Sequence, residues 1–103
     1  SYLESWRSKV EKIGNLNYPD EAKRRQLYGN LLMHVAIRAD GSVERIQVRR
    51  SSGHQLLDDA AVRIVRMSAP FAPFPPEIRK EVDVLDITRT WQFLDGNTLF
   101  SSR

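Results

Sequence analysis

The chain contains no cysteine in 103 residues, which excludes disulfides, thiolate metal sites and a cysteine nucleophile while leaving the compartment open. Histidine is almost as scarce. His34 and His54 are the two present, and neither has a companion at metal-ligand spacing. The five glycines form no phosphate-cradling loop. No apolar run approaches the roughly 18 residues that span a bilayer, and no signal-peptide pattern opens the chain. The chain begins at Ser1 rather than Met, as expected of a processed or truncated piece of a longer protein. Charge of one sign does not dominate either: 16 basic and 13 acidic residues leave a net +3. They are interleaved, which describes a solvated surface better than a nucleic-acid footprint.

The groups that could carry catalysis are poorly arranged for it. Asp58 and Asp59 are adjacent and diverge on a helix, and Asp83 and Asp86 fall on opposite faces of a strand. Ser51-Ser52-Gly53 lacks the flanking pattern of a nucleophile elbow. The sequence therefore predicts no enzyme, no metal and no cofactor.

What is present is patterning. Tyr2, Leu3, Trp6, Val10 and Ile13 recur at helical spacing between charged residues, predicting an amphipathic helix over 1–14 with Ser1 as its cap and Gly14 as its stop. Pro19 biases Tyr18 to an extended backbone and opens a short helical turn, on which Lys23-Arg24-Arg25 form a wet face. Leu31, Met33, Val35 and Ile37 alternate with Leu32, His34, Ala36 and Arg38 in a strand, with His34 on its wet face. Asp40-Gly41 turns the chain into a second strand holding Val43, Ile46 and Val48, whose odd step requires a bulge near Glu44-Arg45. Leu56, Leu57, Ala60, Ala61, Ile64 and Val65 define a second helix ending before Pro70. The proline-rich connector Ala69 to Pro76 contains two P-x-x-P matches, but its simpler reading tucks Phe71 and Phe74 under the domain.

The last main strand, Val82 to Phe93, is the clearest. Leu85, Ile87, Arg89, Trp91 and Phe93 share one face; Asp86, Thr88, Thr90 and Gln92 share the other. Asp95-Gly96-Asn97 reads as a turn, Leu99 and Phe100 as the start of a further strand, and 95–103 as a flexible or short-strand tail.

This order, α-β-β-α-β, predicts an α+β domain with a three-stranded antiparallel sheet in order 2-1-3 and both helices on one face. The third strand then lies at an edge, with backbone groups unpaired within the domain. An extended peptide can add there, so Val84, Leu85, Asp86, Ile87, Thr88, Arg89 and Thr90 are the candidate binding residues. An open edge also makes a homodimer of the isolated fragment a hazard. A single-strand nucleic-acid reader needs exposed aromatic residues on its sheet; here Trp6, Trp91 and Phe93 fall on core positions, and the basic stripe Arg45, Arg49 and Arg50 reads as a charged guard on an edge strand.

The ordered set Tyr18-Pro19, Asp40-Gly41-Ser42-Val43 with Ile46 and Val48, Ser52-Gly53 leading to Leu57-Asp58 and Ala60-Ala61, Phe71 with Pro73 to Pro76, and Trp91-x-Phe93 resembles the C-terminal domain of the TonB family. The resemblance implies a periplasmic domain of a protein anchored in the inner membrane of a Gram-negative bacterium. Through an N-terminal part missing here, such a protein engages ExbB and ExbD, which use the proton-motive force. Its terminal domain pairs its last main strand with the TonB box of TonB-dependent outer-membrane receptors for siderophores, haem or cobalamin. The family's Gln-Pro-Gln-Tyr-Pro region, also a receptor contact, reads Asn15-Leu16-Asn17-Tyr18-Pro19 here. The alternatives are a TolA-like envelope domain of related shape with other partners, and a small nucleic-acid-binding domain.

Overall fold

A computed structural model describes residues 1–95 and 98–101, apart from the side chains of Phe100 and Ser101. Helix α1 spans Tyr2–Leu16, and the Ser1 hydroxyl accepts from the Glu4 amide as expected of the cap. Gly14 does not stop it. The helix runs two residues further, to a cap at Asn17 whose amide and carboxamide both donate to the Ile13 carbonyl. Gly14 is buried inside the helix, where a Cβ would overlap the Leu99 side chain. It is a close-approach glycine rather than a terminator.

Pro19 caps the short helix α2, Asp20–Arg25, which closes on Gln26 at φ 53°. Strand β1, Gly29–Arg38, and strand β2, Val43–Arg50, form the hairpin across Asp40-Gly41, where Gly41 takes φ 91° and the Asp40 carboxylate accepts from the Ser42 amide at 2.9 Å. The bulge falls where the odd apolar step requires it: Ala36 pairs with Arg45 and Ile37 with Val43, leaving Glu44 as the extra residue. A second irregularity sets Arg49 between the partners of Leu32 and Met33.

Helix α3, Gln55–Ser68, buries Leu57, Ala60, Ala61, Ile64 and Val65. Its first turn is held to the end of β2 by Asp58, which is buried and accepts from the hydroxyls of Ser51 and Ser52 and from the Ser52 amide at 2.9 Å. In the connector, Phe71 and Phe74 are buried, and the Phe74 ring meets Tyr2 edge-on at 5.4 Å. One helical turn, α4, Pro76–Arg79, starts with proline at its first position, a signal the double proline concealed.

Strand β3, Val84–Leu94, and strand β4, Thr98–Ser101, complete an antiparallel sheet in the order β2-β1-β3-β4. The predicted 2-1-3 arrangement is its first three strands, and Leu99-Phe100 do form a further strand. The predicted edge is thereby shortened, because β4 covers the last four residues of β3. Gly96 and Asn97 of the predicted turn, and Ser102 and Arg103 of the predicted tail, lie outside the described residues.

The core fills the helix side of the sheet with Leu31, Met33, Val35, Ile37, Ile87, Trp91 and Phe93, against Val10, Leu57, Ile64 and Leu99. The opposite face is drier than expected at two residues of β1, His34 and Ala36, both of which are buried. His34 is 5% exposed rather than wet, and its Nε2 lies 2.8 Å from the Asp86 carboxylate on β3. The pairing register sets Asp86 opposite Ala36, diagonal to His34, a neighbour invisible to patterning along one strand.

Candidate functional site: the open length of β3

In an antiparallel ladder the N–H and C=O of one residue point to the same side, and successive residues alternate. Arg38 uses both groups on the hairpin: its amide donates to Ser42 O and its carbonyl accepts from the Gly41 amide, each at 2.8 Å. Even-numbered residues of β1 therefore face β2, and odd-numbered ones face β3. The register pairs Val35 with Ile87 and Met33 with Arg89. Leu85, Ile87, Arg89, Trp91 and Phe93 thus turn their backbones toward β1, while Val84, Asp86 and Thr88 turn theirs away from it.

Leu99 on β4 gives the same answer independently. Its amide donates to Asn15 Oδ1 at 2.8 Å and its carbonyl accepts from Asn15 Nδ2 at 3.4 Å. Groups engaged by α1 are not paired with β3, so Phe93 and Leu99 are a non-hydrogen-bonded pair, and Phe93 faces β1.

The β4 ladder extends from Leu94 back to Trp91 and stops. Among the described residues, no strand pairs with the outward side of Val84 to Arg89. Along this length the backbone amides and carbonyls of Asp86 and Thr88 point away from β1. Its two sides differ in charge. On the outer face the Asp86 carboxylate is well exposed beside His34; on the helix face Arg89, half-buried, reaches the edge and donates from Nη1 to the Thr88 carbonyl at 2.9 Å.

The second predicted segment is largely committed within the domain. Asn15 clamps Leu99, Asn17 caps α1, and Tyr18 is buried with its ring 5.6 Å from Phe93. Pro19 is half-buried, and Leu16 is 73% exposed. These residues flank the covered end of β3; five residues separate Phe93 from Thr88, roughly 17 Å of strand. The structure therefore does not gather the two predicted groups into one site.

The opposite edge of the sheet is guarded. Strand β2 carries exposed Glu44, Arg45, Arg49 and Arg50 along with its two irregularities. No described helix is long and apolar enough to cross a membrane, and no group of three or more described His, Asp or Glu residues could hold a metal.

A small α+β domain with one open strand edge is an interaction module in its architecture. The family model for the Gram-negative bacterial TonB protein C-terminal region matches residues 14–93. The chain belongs to that family, and its domain is non-enzymatic. TonB2 of Pseudomonas aeruginosa is 47% identical over 49 residues, covering 48% of this chain and 18% of that protein. TonB of Pasteurella multocida is 27% identical over 84 residues, covering 82% of this chain and 32% of that one. The chain thus spans less than a third of the length of either relative. The solution structure of the Helicobacter pylori TonB C-terminal domain, residues 179–285, superposes with a TM-score of 0.69 at 22% identity, over 99% of this chain and 81% of that one. At that identity the likeness establishes the fold.

Proposed function

We propose that this domain captures the TonB box of TonB-dependent outer-membrane receptors by adding it as a strand against Val84–Thr90. In this reading the domain lies in the periplasm, the remainder of the protein anchors it in the inner membrane and engages ExbB and ExbD, and proton-motive-force-derived energy is passed to receptors that import siderophores, haem or cobalamin. The observation that carries the reading is the outward row of backbone groups at Val84, Asp86 and Thr88, beyond the reach of β4. Each added backbone bond contributes about 0.5–1.5 kcal/mol net, so a short strand binds reversibly. The bonds lie perpendicular to the strands, and a pull along the strand loads them together. Leu16, exposed beyond the covered end, offers a second contact from the Asn15–Pro19 segment.

Titrating isotope-labelled domain with a TonB-box peptide is expected to shift the amides of Val84 to Thr90 most, with Asp86 and Thr88 gaining protection from solvent exchange. Largest shifts around Arg49-Arg50 would place the contact on β2 and overturn strand addition at β3.

A further inference from the structure

The two faces of the open edge carry opposite charges, and side chains of an added strand alternate between those faces. Arg89 shares the helix face with Ile87 and Trp91, yet its guanidinium reaches outward to the Thr88 carbonyl at 2.9 Å. It has five donors in a planar fork, and among the described residues no carboxylate lies within ion-pair distance of it. Asp86 occupies the other face, 63% exposed at its side chain, with one oxygen directed to His34. An incoming amide takes the Thr88 carbonyl, and the guanidinium beside it then meets the neighbouring side chain of the new strand.

We infer that Arg89 selects partner peptides carrying an acidic side chain on the helix-facing side of the added strand, and that Asp86 rejects the same charge on the outer side. The pair thereby sets register. Slipping the peptide by one residue moves every side chain to the other face, exchanging a fork-to-carboxylate contact for carboxylate facing carboxylate. The inference rests on the strand-addition reading, and its test separates the two.

The probes are two seven-residue peptides of alternating threonine and valine, one with glutamate at its centre and one with glutamine. Binding is followed by amide shifts of the labelled domain at low salt, where exposed charges are least screened. The glutamate peptide is expected to bind about three- to fivefold tighter, the scale of an exposed ion pair, with its glutamate nearest Arg89. Arg89→Gln should equalise the two peptides and Arg89→Lys should keep part of the preference, while the dispersed amide spectra of both variants separate loss of charge from loss of fold. Equal binding of both peptides at Val84–Thr90 of the unsubstituted domain overturns the role of Arg89 while leaving strand addition standing. So does a glutamate preference that survives Arg89→Gln. If neither peptide shifts that edge, strand addition itself fails, and this inference with it.

Discussion

Asp58 shows how one carboxylate ties two elements together. Burial opposes its ionisation, but the hydroxyls of Ser51 and Ser52, the Ser52 amide and the charge of His54 outweigh it and hold the carboxyl below its ordinary range. A lowered native pKa stabilises the fold at pH above the unfolded value, near 4, and that stabilisation is lost as pH falls from there through the native value. Asp58→Asn keeps the size but removes the charge and one acceptor oxygen. We expect it to cost about 1–3 kcal/mol at pH 7 and to flatten the acid limb of stability. Urea unfolding of both proteins between pH 7 and pH 3 measures this; curves that stay parallel would remove Asp58 as a source of the acid dependence. Little of it was legible beforehand, since Asp58 read as one of two adjacent acids diverging on a helix. Its hydroxyl partners are six and seven residues upstream, across the end of β2. Gly14 is a similar case. Its position after an amphipathic run fits a helix stop, and Leu99, the residue that requires the missing Cβ, is 85 positions away.

Among the elements, β3 was the most legible, because alternation in one strand reports its two faces directly. Ile87, Trp91 and Phe93 are buried, and Asp86 and Thr88 are exposed, as the pattern predicted. Alternation of side chains cannot say which backbone groups face a neighbour, since that depends on the register of β1 and on the hairpin beyond it. Arg38 and Leu99 supply it. Proline substitution tests the assignment, because proline removes an N–H and is tolerated in a sheet only where that N–H faces outward. Thr88→Pro and Asp86→Pro are expected to remain folded and to weaken peptide binding by about three- to tenfold, one lost backbone bond or slightly more. Ile87→Pro removes a ladder bond to β1 and should lower the melting temperature well below that of either neighbour. Circular dichroism melts with peptide titration distinguish them. Equal destabilisation at 86, 87 and 88 would mean that the backbone parity is wrongly assigned.

For the whole molecule, the order β2-β1-β3-β4 leaves two edge strands, and each is defended differently. Charge and bulges protect β2, while on β4 the Asn15 carboxamide occupies both backbone groups of Leu99 as an added strand would. The gap lies between them, along Val84 to Arg89, where β4 ends before β3 does. The length of β4 therefore governs how much edge is exposed. A domain shortened to end at Asp95 uncovers Trp91 to Leu94 and nearly doubles the open length of β3. It also exposes core that Leu99 covers. A second domain then becomes a competing strand partner, since an edge of ten or so residues is long enough to pair with its own copy. Sedimentation velocity across protein concentration is expected to show a monomer for residues 1–103 and a concentration-dependent dimer for residues 1–95, with thermal melts confirming that the shortened chain folds. Adding a TonB-box peptide should dissociate that dimer, because both occupy the same backbone groups. A folded, monomeric 1–95 would show that β4 does not guard the edge, and a dimer indifferent to peptide would place the self-contact elsewhere.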